Sequence, residues 1–155
     1  MTRSDILLET TKAKIAHKRW VKRADHLVSG LPVDKEFIPL EATSCGFGKW
    51  LYSQGIELRT LEATRYIMDE IEFHHDELHD LYSEIYKIYF VIPENKSFLS
   101  KVLTFNSKKI SKADQEKAEI YLQKIKQSST DLLALIDKLE VATQHMTYEE
   151  LLSKA

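Results

Sequence analysis

The sequence predicts an all-α chain: an antiparallel four-helix bundle with a short extra helix and a short C-terminal helix. Three observations predict it. Four glycines and three prolines in 155 residues are too few for a turn-rich β fold. Apolar residues recur three and four apart over long stretches, the period of an α-helix with one buried face. The third and fourth long stretches contain no glycine or proline, and Gly30 and Pro93 stand where the first and third end. With 43% apolar and 30% charged residues the composition is that of a globular protein. The length suits one domain spanning residues 1–155.

The first helix is expected from Ser4 to about Ser29, where Ile6, Leu7, Ala13, Ile15, Ala16, Trp20, Val21, Ala24, Leu27 and Val28 recur at helical spacing and Gly30 stops it. Pro32 and Pro39 make the next ten residues a connection. Pro39 suits the first turn of a short second helix through Cys45 and Trp50 to Gln54, ending at Gly55. Gly46 and Gly48 inside it cost about 1 kcal/mol each against alanine, so a close approach must favour both. Thr60 is the expected cap of a third, long helix from Leu61 to about Val91, ended by Pro93, although β-prone aromatics from Tyr82 to Phe90 crowd its end. One or two helical turns are expected at Phe98–Leu103. A fourth main helix runs from Ser111 to Thr143. Thr147-Tyr148-Glu149-Glu150 has capping-box form and opens a terminal helix to Lys154.

Twenty-two basic and 24 acidic side chains give a formal charge of −2, with both signs scattered, which leaves no electrostatic footprint for nucleic acid. One cysteine cannot form an internal disulfide, and Met1–Asp5 leads into charged helix rather than a signal segment. Apolar runs such as Ile88–Ile92 fall far short of the roughly 20 residues that cross a bilayer. The chain is expected to be soluble and cytoplasmic, with no membrane insertion.

The chemistry centres on Cys45. His75 and His79 lie one turn apart and share a helix face. His17 sits on or beside the apolar stripe of the first helix, one turn before Trp20. Three helices can therefore direct His17, Cys45, His75 and His79 to one point, and three nitrogens with one sulfur suit tetrahedral zinc. Gly46 and Gly48 would let the thiol approach, while Phe47, Trp50 and Trp20 would wall the site. His74 should point elsewhere, and His26 and His145 lie on exposed or terminal stretches. Glu72, Asp76 and Glu41 are alternative acceptors for the imidazole hydrogens.

The stretches His17-Lys18-Arg19-Trp20, Cys45-Gly46-Phe47-Gly48-Lys49-Trp50-Leu51-Tyr52 and His75-Asp76-Glu77-Leu78-His79 resemble, in order and spacing, the chemoreceptor zinc-binding (CZB) domain family, over about residues 5–143. The resemblance implies a cytoplasmic four-helix bundle of bacterial chemoreceptors and diguanylate cyclases, with one zinc held by three His and one Cys. These roles fall on His17, Cys45, His75 and His79. Family members commonly attach the domain to a signalling coil or a cyclase. Here the chain stops soon after Thr143, so a stand-alone domain is expected, signalling through a chemoreceptor, a diguanylate cyclase or another partner in chemotaxis or cyclic-di-GMP pathways.

Four protein donors leave no position for substrate, so an enzyme is not expected. Sensing is expected instead, of zinc availability or of oxidation of the zinc-bound thiolate, for example by hypochlorous acid. Two readings compete: a zinc-stapled protein-interaction module, and a helix-bundle metalloenzyme. Leu132, Leu133, Leu135, Ile136 and Leu139 crowd the last helix more than one stripe needs, which suggests a homodimer along the outer helices.

Overall fold

Thr2 sets where the first helix begins. Its hydroxyl accepts the Asp5 backbone N–H while the Asp5 carboxylate accepts the Thr2 backbone N–H at 2.8 Å, a reciprocal cap that satisfies two otherwise orphaned donors. The computed structural model describes residues 1–31, 33, 39–91 and 110–147, and all regular structure among them is helical. The expected turns at Phe98–Leu103, the stop at Pro93 and the terminal helix to Lys154 lie outside the described residues.

Helix α1 spans Arg3–Val28. Its buried residues Ile6, Thr10, Ala13, His17, Trp20, Ala24 and Leu27 step by four and three in alternation, the period of one helix face. His17 is thus a member of the core stripe, whereas Ile15, expected on it, is 52% exposed. Gly30 ends the helix with φ of +72°, the left-handed conformation that glycine adopts at no steric cost.

Helix α2 is shorter than expected, Gly46–Leu51. A 3-10 turn, Ala42–Ser44, precedes it and a 3-10 segment, Gln54–Thr60, follows. Gly55 does not end a helix. It is buried, and a Cβ there would lie 3.1 Å from the Trp50 carbonyl oxygen. Thr60 does not cap the third helix either, since its hydroxyl donates to the Glu57 carbonyl at 2.7 Å. Helix α3 runs Arg65–Tyr86 and continues as a π-helical turn, Lys87–Val91, so the aromatic end stays helical. Helix α4 runs Lys112–His145, one residue later than expected at its start, with Ser111 as its cap.

Polar contacts fix the relative directions. Arg3 donates to the carbonyls of Thr143 and Met146, Lys14 reaches Asp137 and Glu140, Lys126 pairs with Asp25, and Gln115 donates to the Val28 carbonyl, so α1 and α4 are antiparallel. His74 faces Ser128, and Tyr89 faces Gln115, so α3 and α4 are antiparallel too. The segment from Leu40 to Leu61 runs back along α3, meeting it through Leu40 with His79, Cys45 with His75, Tyr52 with Asp76 and Arg59 with Glu72. Leu132, Ile136 and Leu139 are fully buried, and Leu133 and Leu135 are half-buried. Leu132, Ile136 and Leu139 belong to the chain's own core, and Leu135 packs against it.

Candidate metal centre

Three helices supply the donors, and each imidazole is oriented by its surroundings. Along the core stripe of α1, His17 is 4% exposed and donates Nδ1–H to the Ala13 carbonyl one turn earlier, at 2.7 Å. On α3, His79 donates Nδ1–H to the Leu40 carbonyl at 3.1 Å. A carbonyl can only accept, so both Nδ1 atoms carry the proton and both Nε2 atoms keep a lone pair. His75 is fully buried and directs Nε2 at Cys45 Sγ, 3.2 Å away.

Cys45 does not sit inside α2 but caps it. Its sulfur accepts the Gly48 backbone N–H at 3.1 Å. No residue preference announces this cap in the sequence, because the usual capping side chains present an oxygen rather than a sulfur.

Donor atoms of Cys45, His75 and His79 lie within 4.8 Å of one another. The His17 ring stands against them, its centroid 5.4 Å from that of His75. Phe47 packs edge-on against His17 at 5.5 Å and His75 at 5.3 Å, while Trp20 lies 4.6 Å from His79. Trp50 stacks behind Phe47. Gly48 needs its missing Cβ, though chiefly against the turn before α2 rather than against α3: a Cβ there would lie 1.8 Å from the Ala42 carbonyl oxygen and 3.3 Å from His75 Cε1. Gly46 does not, since a Cβ there would meet nothing within 4 Å.

Burial holds the imidazoles neutral. It lowers His17 to about 4, against the helping bond to Ala13, and lowers His75 to about 3, with His17 and His79 adding to the effect. His79 is also lowered, chiefly by burial. Burial raises the Cys45 thiol, opposed by the N–H groups of Gly48 and Phe47 and by Lys49. Neutral imidazoles with free lone pairs are in the state that a metal requires, and a metal ion deprotonates a thiol that it binds. The donor set therefore fits zinc, which would be held by Cys45, His75 and His79 with His17 beside them.

A cleft of about 710 Å³ reaches this group from the α1 side, lined among others by Ala13, His17, Trp20, Cys45, Phe47 and His79. Reagents in solution can thus approach the thiol, while His75 stays fully buried. Of the three carboxylates considered as imidazole acceptors, Glu72 is taken by Arg59 and Glu41 accepts from Ser44. Asp76 lies 3.8 Å from His75 Nδ1. His74 faces Ser128 and Glu77, away from the cluster. Both partners meet its Nδ1 atom, so it cannot relay a proton from the serine on one ring nitrogen to the carboxylate on the other.

These shifts have a stability consequence. His17 and His75 take up protons in the unfolded chain near pH 6.5 but in the folded one only near about 4 and about 3. Their contribution is therefore complete above pH 6.5 and is lost as the pH falls below it. Each proton bound only by the unfolded chain removes about 1.4 kcal/mol per pH unit. The urea midpoint of the chelator-treated protein is expected to fall steeply between pH 6.5 and 4; a midpoint that stays flat over that range contradicts the burial argument.

The family model described as the chemoreceptor zinc-binding domain matches residues 17–86. The match begins at His17, includes Cys45, His75 and His79, and ends with α3. No curated protein and no solved structure matches the chain.

Proposed function

We propose, for a chain that carries a chemoreceptor zinc-binding domain over residues 17–86, that it is a sensory domain holding one zinc ion through His17, Cys45, His75 and His79. Zinc availability, or oxidation of the Cys45 thiolate, is the signal. The observation that carries this reading is the position of Cys45. It is at once the cap of a six-residue helix, a neighbour of two buried imidazoles and part of the lining of an open cleft. When bound, zinc would supply a positive charge that holds the sulfur as thiolate and ties α2 to α3.

Oxidation by hypochlorous acid transfers one oxygen atom to sulfur. Chloride leaves, and the resulting sulfenic acid is a poorer donor than the thiolate. Cys45 then no longer fastens α2 to His75. Movement of α2 is the message, read by a chemoreceptor, a diguanylate cyclase or another signalling partner in a reducing, cytoplasmic setting. The architecture that transmits it is an antiparallel four-helix bundle in which residues 40–61 take the fourth corner. A homodimer is supported by exposed apolar residues seven apart on single helices, Leu8 and Ile15 on α1 and Tyr66 and Phe73 on α3, each pair sharing one helix face. No helix among the described residues is long and apolar enough to cross a membrane.

Metal and free-thiol content of the purified protein, before and after mild oxidation, test this reading. One zinc per chain, lost in step with the thiol, is the expected result. Zinc retained after the thiol is consumed would reduce the metal to a staple, and absence of zinc from protein purified without chelators would overturn the metal assignment itself.

A further inference from the structure

His75 carries a polar atom with an unmet need. Nδ1 is buried and has no hydrogen-bond partner among the described residues, although the side chain is fully buried. The other ring nitrogen already faces Cys45. His17 and His79 each spend Nδ1 on a backbone carbonyl, and α3 offers His75 no such carbonyl. The nearest acidic oxygen is Asp76 Oδ1, 3.8 Å away and just beyond hydrogen-bond reach. That same oxygen accepts the Tyr52 hydroxyl at 3.1 Å. Tyr52 is the C-cap of α2, the helix that Cys45 opens.

We propose that Asp76 is the positioning residue for His75, accepting its Nδ1–H when Nε2 binds the metal, and that Tyr52 holds the Asp76 carboxylate over the ring. The Asp76 side chain is 47% exposed, so without the phenol it would turn to water. A carboxylate on the far nitrogen fixes the tautomer and raises the basicity of the ligating one. A carboxylate oxygen can accept two donors, so a small rotation serves both Tyr52 and His75. The helix that carries the sulfur donor is then fastened to α3 at both ends, by Cys45 with His75 and by Tyr52 with Asp76. Metal occupancy at one end is felt at the other through a single carboxylate.

This inference rests on His75 being a ligand, and the test separates the two. Zinc affinity is measured by competition with a chromophoric chelator on the full chain, together with the His75 Nδ1–H proton resonance of the zinc-loaded protein. Asp76→Asn is expected to bind zinc about 10- to 100-fold more weakly and to lose or shift that resonance. Tyr52→Phe is expected to lose about three- to tenfold. The double variant should be no weaker than Asp76→Asn alone, because the phenol acts through the carboxylate. Glu77→Gln, whose carboxylate meets His74 instead, should match the unaltered protein. Asp76→Asn with unchanged affinity and an unchanged resonance would overturn the role of Asp76, and additive losses in the double variant would overturn that of Tyr52. Failure of the unaltered chain to bind zinc would instead sink the metal reading.

Discussion

Cys45→Ala is expected to weaken zinc binding by about a hundredfold or more while leaving helix content unchanged. Structural zinc sites contribute roughly 10–16 kcal/mol at neutral pH, so one donor in four accounts for on the order of 3 kcal/mol, about a hundredfold in Kd. The fold should survive because the core that joins α1, α3 and α4 does not depend on the thiol: Ile6, Met68, Ile71, Leu78, Ile85, Leu132, Ile136 and Leu139 are fully buried. The loss is local. The Gly48 N–H loses its acceptor, and α2 is then held by buried Phe47, Trp50 and Leu51 and by the Tyr52 contact. Stabilisation of the melting temperature by added zinc should shrink accordingly, since a ligand stabilises by its occupancy of the folded state. Circular dichroism with a zinc competition titration checks both parts; affinity within threefold of the unaltered protein would contradict them.

Gly48→Ala is expected to be more damaging than a surface helix position would suggest. The new Cβ would lie 1.8 Å from the Ala42 carbonyl oxygen and 2.8 Å from its carbon, and backbone cannot rotate away as a side chain can. Overpacking costs about 1–3 kcal/mol and occasionally more, and at 2–4 °C per kcal/mol for a chain of this size the melting temperature should drop by roughly 5–10 °C. The residues that must yield, Ala42–Ser44, lead directly into Cys45, so zinc affinity should fall at least about tenfold as well. Gly46→Ala is the contrast. With open space at its Cβ, and alanine the better helix former by about 1 kcal/mol, it should leave the melting temperature unchanged or slightly higher. Equal behaviour of the two variants would refute the close approach of α2 to the Ala42 backbone.

That contrast shows where the sequence stops being legible. His75 and His79 could be paired from spacing alone, because a four-residue step fixes two side chains on one helix face whatever surrounds them. The place of His17 on the buried stripe followed from the same period. The long helices were readable for the same reason, with Gly30 and Ser111 marking an end and a start, but the start of α3 was not, since Thr60 bonds Glu57 instead of capping it. The segment from Leu40 to Leu61 was not. Its pieces are too short to hold themselves together, so tertiary contacts decide their ends: Thr64 donates to the Leu58 carbonyl and Gly55 lies against Trp50. Only the path of this segment shows that Gly48 needs its missing Cβ and Gly46 does not. Only that path turns Cys45 from a helix residue into a helix cap. The acceptors of the imidazole protons were equally hidden, because two of them are the carbonyls of Ala13 and Leu40, which no side-chain pattern encodes. The apolar density of α4 has a reason within the chain, because α4 packs against both α1 and α3 and needs a broad apolar face for that.

The most direct test is the X-ray absorption spectrum at the zinc edge of the purified protein, compared with that of Cys45→Ala. With His17, Cys45, His75 and His79 as donors, the spectrum should contain one sulfur at about 2.3 Å and three nitrogens at about 2.0–2.1 Å, and the sulfur should vanish in the variant. A spectrum fitted by nitrogen and oxygen alone, or a sulfur that persists without Cys45, would contradict the account.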